Sequence, residues 1–179
     1  MKKLIITLSL LIGFTSAINA QTEKAANKLG IGAEFALPIG SFGLSNTYNI
    51  GYGIAVQGEH GLSKALKLTA STGYLLFEVT ESITNGSAIY TEVKKNYGAV
   101  PLKVGGKYYL GNFYGAAEVG AVFGQQLGGT ALAYHFGIGI SVPVTKKSAL
   151  DFSARIEEWD RAKSGFPFIA LRAAYAFGL

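Results

Sequence analysis

The chain has 179 residues, with 24 Gly, 11 Phe, 10 Tyr and no Cys. Its length fits one domain, and its charged fraction of 15% is well below the ~25% of ordinary soluble domains. The lack of cysteine excludes a disulfide framework and a lipid-modified cysteine anchor. The lack of any Lys/Arg-rich run excludes a nucleic-acid binder.

The first twenty residues read as a secretory signal peptide. Lys2 and Lys3 give a positive start, Leu4 to Phe14 is apolar, and Thr15 to Ala20 is a small-residue stretch before Gln21. Cleavage after Ala20 fits best, and after Ala17 next. The apolar run is shorter than the ~20 residues of a transmembrane helix. Without Lys2 and Lys3, 14 basic residues stand against 11 acidic ones, a weak basic excess. Residues 21–28 form a polar periplasmic lead-in, and 29–179 form the domain proper.

From Leu29 onward the sequence alternates with period two, the mark of strands with unlike faces. Eight strands are predicted, over 29–37, 50–59, 65–78, 97–110, 113–124, 131–142, 148–158 and 166–179. In the first, Leu29, Ile31, Ala33, Phe35 and Leu37 oppose Gly30, Gly32, Glu34 and Ala36. In the sixth, Leu132, Tyr134, Phe136, Ile138 and Ile140 oppose Ala133, His135, Gly137 and Gly139. Leu75 and Phe77 break the rule by falling on the polar face, and Glu78 by falling on the apolar one. A β-bulge or the edge of a membrane band accounts for either exception.

Alternation alone does not say which face points out, and a soluble lipocalin-like barrel would enclose the apolar one. The polar face, however, carries many Gly, Ala and Ser, as a narrow lumen requires. Its charges nearly cancel: Glu34, Glu59, Glu118, Asp151 and Glu157 against Lys67, Lys103, Lys107, Arg155 and Arg172. An unpaired buried charge costs several kcal/mol, so a sealed lumen needs that balance. The odd connections (38–49, 79–96, 125–130, 159–165) are also longer on average than the even ones (60–64, 111–112, 143–147). Outer-membrane barrels have short periplasmic turns and longer external loops. The sequence therefore predicts an all-β, eight-stranded antiparallel up-and-down transmembrane β-barrel in the outer membrane of a Gram-negative bacterium, with both mature termini periplasmic.

Gly111-Asn112 suits a two-residue turn with Gly at its first central position. That register opposes Gly105 to Glu118 and makes Lys103 and Lys107 diagonal neighbours of Glu118, at ~7–8 Å. A Lys103–Glu118–Lys107 cluster is expected inside, alongside Arg155, Arg172 and Glu34, as a structural plug of paired charges. Aromatic belts are expected at both interfaces, from Tyr108, Phe113, Tyr175 and Phe177 on the periplasmic side and Tyr97, Trp159 and Phe166 on the external side.

Val100-Pro101-Leu102-Lys103 followed by Lys107-Tyr108-Tyr109-Leu110 resembles the strand motif of PorT-like outer-membrane β-barrel proteins, and the layout is similar to that of OmpX-like and OmpA-type barrels. Tyr175, Phe177 and Leu179 at alternating positions resemble the C-terminal signal read by the barrel-insertion machinery, although the chain ends in Leu rather than an aromatic residue. The resemblance implies fold and localisation, and no catalytic residues.

No catalytic, cofactor or metal constellation stands out. His60 falls in a predicted periplasmic turn. His135 falls mid-strand on the lumen face, where a hydroxyl-His-acid device open to lipid cannot form. Two His and no Cys give no zinc set. Lys94, Lys95, Arg161 and Lys163 fall in predicted external loops, where they could meet lipopolysaccharide phosphates. The expectation is a non-enzymatic, monomeric structural or interaction protein working through its external loops. Its partners would be outer-membrane lipid, lipopolysaccharide and the insertion machinery. A narrow channel, a PorT-like export role, a lipid A-modifying enzyme and a lipocalin-like binder are the alternatives.

Overall fold

The computed structural model describes residues 27–39, 48–85, 89–124, 129–161 and 164–179. The leader 1–20, the lead-in as far as residue 26, and Lys163 lie outside them. Eight strands follow in order: β1 (Lys28–Pro38), β2 (Tyr48–Gly61), β3 (Leu66–Asn85), β4 (Ile89–Leu110), β5 (Phe113–Gly124), β6 (Gly129–Pro143), β7 (Ser148–Arg161) and β8 (Ser164–Gly178). Each pairs antiparallel with its neighbours, and β1 pairs with β8 to close a barrel.

The stagger of the barrel can be read from the pairing. From Lys28 the register passes through Glu59, Thr69, Gly105, Glu118, His135, Glu157 and Phe168 and returns to β1 at Pro38, ten residues further along. With eight strands, that shear tilts them by roughly 40° to the axis. Gly111 takes φ 68° in the β4–β5 turn, opposite Leu110↔Phe113 and Tyr109↔Tyr114, as the turn chemistry predicts.

The apolar face points outward on every strand. Ile138 is 72% exposed and Leu171 44%, whereas Glu157 is fully enclosed at 0%. A closed barrel leaves no open strand edge within its wall, which is the condition for a sheet to sit in hydrocarbon. Tyr108, Phe113, Tyr175 and Phe177 face outward near the rim where β1 begins and β8 ends.

Several expectations are corrected. The segment 79–96 is not a loop: β3 and β4 continue through it, pairing to Asn85↔Ile89. The connections on that rim shrink to 39–47, 86–88, 125–128 and 162–163, so the asymmetry of the barrel lies in strand length more than in loop length. Leu75 and Phe77 involve no slip of phase, since the β3–β4 register is unbroken there, and both are buried inside. The bulge in β2–β3 lies elsewhere, between Tyr48 and Gly51. Trp159 and Phe166 do not join an outer belt; they too are buried within the barrel. Tyr97 is half-buried on the same inward phase of β4 as Ala99. His60 lies in β2, exposed, rather than in a turn.

Candidate functional site

The lumen is layered along the barrel axis. Alternation sends every second side chain inward, and the tilt of the strands stacks residues from distant positions into common layers. Near the rim where β1 begins and β8 ends, Lys107 Nζ bonds Glu59 Oε1 at 2.7 Å and lies 3.4 Å from Asp151 Oδ2. Arg172 Nη2 donates to Asp151 Oδ1 at 2.8 Å. Tyr114 Oη donates to the same oxygen at 2.7 Å, and Tyr109 Oη donates to Glu59 Oε2 at 3.0 Å. The Lys107 ammonium also sits 4.3 Å from the centre of the Tyr114 ring, a cation–π contact. Gly139 makes room for this ring: a Cβ there would come within 2.3 Å of it.

Higher in the barrel, Lys103 Nζ bonds Glu157 Oε2 at 2.6 Å. Arg155 Nε donates to the same oxygen at 2.8 Å, and Arg155 Nη2 bonds Glu34. Each nest holds two cations and two carboxylates, so each is neutral in itself. Gln57 ties the middle to the lower nest. Its Nε2 donates to Glu118 Oε1 at 2.7 Å, and its Oε1 accepts from Arg172 Nη2 at 2.9 Å. Ser71 Oγ also donates to Glu118.

The expected Lys103–Glu118–Lys107 cluster is therefore not what forms. Both lysines are buried, but Lys103 pairs with Glu157 and Lys107 with Glu59 and Asp151. The diagonal neighbours lose because the lumen is narrow enough for side chains to reach across it. Glu34, Arg155 and Arg172 belong to the same two nests.

Above the ions lies an apolar cap that the sequence reading missed. Phe77, Trp159, Phe166 and Phe168 interlock, with centroids 5.1–5.9 Å apart. Leu75, Val122 and several alanines fill in around them. The signal was present. Phe166 and Phe168 share the phase of Arg172, Trp159 that of Glu157, and Phe77 that of Ser71. Edge-to-face aromatic pairs add ~0.5–1.5 kcal/mol each beyond area burial.

The basic residues foreseen as lipopolysaccharide contacts are not gathered. Lys94 is exposed on the outer face of β4 and bonds Glu78 at 2.8 Å. Asn49 Nδ2 donates to the same Glu78 oxygen at 2.9 Å. Lys95 is exposed beside it, and Arg161 is exposed at the end of β7, with β5 and β6 between them. Among the described residues, no group of three or more His, Asp or Glu is arranged to hold a metal ion.

No family model matches the chain. No curated protein is similar to it in sequence. Solved structures share its fold. Ail, the attachment invasion locus protein of Yersinia pestis, in complex with the heparin analogue sucrose octasulfate, is similar at a TM-score of 0.57 and 14% identity, over 87% of this chain and 100% of that one. The Pseudomonas aeruginosa outer membrane protein OprG is similar at a TM-score of 0.54 and 7% identity, over 88% of this chain and 97% of that one. Ail in a phospholipid bilayer nanodisc gives 0.52 at 13% identity, over 86% and 99%. The fold is that of small outer-membrane β-barrels.

Proposed function

We propose that this outer-membrane barrel is a closed anchor that presents its β3–β4 hairpin to partners outside the cell, a structural or interaction role with no catalytic step. One observation carries the reading. The last β4–β5 pair is Ala99↔Gly124 and the last β2–β3 pair is Tyr48↔Val79, yet β3–β4 pairing runs on to Asn85↔Ile89. Beyond those points, among the described residues, the ribbon has no barrel strand on either side. A strand edge that no barrel strand covers can take a further strand, and a two-stranded ribbon is marginal alone. An added strand from a partner would satisfy both conditions.

The filled lumen argues against a narrow channel. Planar-bilayer recordings test this: the reading expects no stable, sizeable conductance, and finding one would favour the channel. An export-associated role rests on the PorT-like motif at Val100–Lys103 and Lys107–Leu110 alone.

Outer-membrane lipid and lipopolysaccharide surround the barrel in this reading. Lys94, Lys95, Arg161 and Lys163 are the cations offered to phosphate groups, and Ail, the structural neighbour with a bound polysulfated sugar, supports testing polyanions. Replacing all four with Ala is expected to weaken binding to lipopolysaccharide vesicles and to heparin about tenfold. Unchanged binding removes this part of the proposal. Assembly by the barrel-insertion machinery through Tyr175 and Phe177, as a monomer, completes it.

A further inference from the structure

The centre of the lumen is its least satisfied part. The register sets Glu118, His135 and Glu157 directly opposite one another on β5, β6 and β7. His135 Nδ1 lies 3.8 Å from Glu157 Oε2 and 4.0 Å from Glu118 Oε2, beyond direct hydrogen-bond reach. Nδ1 has no hydrogen-bond partner in the protein, and neither do Arg172 Nε and Thr69 Oγ1. All three residues are more than nine-tenths buried. A buried polar atom left unpaired costs ~1–3 kcal/mol, so His135 Nδ1 and Arg172 Nε require something to bond them.

Two of these atoms, His135 Nδ1 and Arg172 Nε, belong to residues that line one chamber, whereas Thr69 is not part of its lining. Thr69 lies on the same register row as Glu118, with Gly105 between them. Arg172 holds Gln57, which holds Glu118. His135, Arg172, Gln57, Glu118 and Ser71 line a chamber offering about 30 Å³ to water centres. One water needs ~10–15 Å³ on that measure. The space suits two waters and nothing much larger. An anion there would face Glu118 and Glu157, and a bare cation would face Lys103 and Arg155. A neutral molecule that both donates and accepts fits the lining.

We propose that the chamber binds two ordered waters. One bonds His135 Nδ1 and reaches the Glu118 and Glu157 carboxylates, a gap one water can span. The other accepts from Arg172 Nε. Both lie between the aromatic cap and the Tyr109–Tyr114 pair, so they exchange slowly with bulk water.

The test is NMR on the full ¹⁵N-labelled chain in phospholipid nanodiscs, reading magnetisation transfer from water to side chains. Cross-peaks to the His135 ring and to the Arg172 Nε–H are expected. His135→Phe, which removes the imidazole and fills the chamber, is expected to weaken the Arg172 Nε–H cross-peak. The wild-type spectrum is decisive whether or not that variant folds. Absence of both cross-peaks, or a through-bond coupling joining His135 Nδ1 directly to a carboxylate, would overturn the proposal.

Discussion

Trp159 donates its indole N–H to Glu157 Oε1 at 2.8 Å, two residues back along its own strand. The two side chains share the inward face of β7, so a strand's period of two places them one above the other. This bond joins the apolar cap to the charged nests beneath it. Glu157 also receives Lys103 and Arg155, so three donors from β4 and β7 converge on it.

Trp159→Phe is expected to keep the ring packing and lose the bond to an ionised acceptor, costing ~1.5–3 kcal/mol. Trp159→Ala also opens a cavity among Phe77, Phe166 and Phe168, raising the cost to ~3–5 kcal/mol. Urea unfolding followed by circular dichroism ranks the two. This is the single Trp of the chain, so fluorescence cannot serve. Equal costs would mean that the cap is not packed on Trp159.

Glu157→Met is expected to cost more than Lys103→Met. The first strips the partner from Lys103 and Trp159 and leaves Arg155 only Glu34, at ~3–5 kcal/mol. The second leaves Glu157 still bonded by Arg155 and Trp159, at under about 2 kcal/mol. Denaturant midpoints of the two variants, measured side by side, check the order. The reverse order contradicts the assigned pairs.

On the outer wall, Ile138→Arg puts a charge in mid-membrane and is expected to cost ~2–4 kcal/mol in bilayers. Thr130→Arg, at the rim of the same strand, is expected to cost ~0–1 kcal/mol. Folding titrations into vesicles give both values. A cheap Ile138→Arg would be incompatible with hydrocarbon on that face.

Deleting residues 82–92 and closing the ribbon with a short turn is expected to leave the barrel intact, because its backbone pairs only within the hairpin there. Unheated gel mobility reports the folded barrel directly. Loss of the folded band would show that the ribbon supports the wall.

Much of this architecture is legible in residue order. Period-two alternation marks all eight strands, since each face of a strand meets one solvent only. Gly111-Asn112 marks its hairpin, since few residue pairs take that backbone. The ends of β3 and β4 are harder to read. Past Val79 and Ala99 no barrel strand among the described residues flanks the ribbon, and over 80–96 the residue order is mostly polar, so the alternation that marks a strand fades.

The sequence by itself determined which side chains share a face, because the pleat assigns faces without reference to any other strand. Only the tertiary structure decided which of them meet. Lys103 finds Glu157 across 54 residues and Arg155 finds Glu34 across 121, through a shear of ten that no local pattern encodes. The aromatic cap has the same origin: Phe77, Trp159, Phe166 and Phe168 become one cluster because closure of the barrel brings β3, β7 and β8 around a single axis.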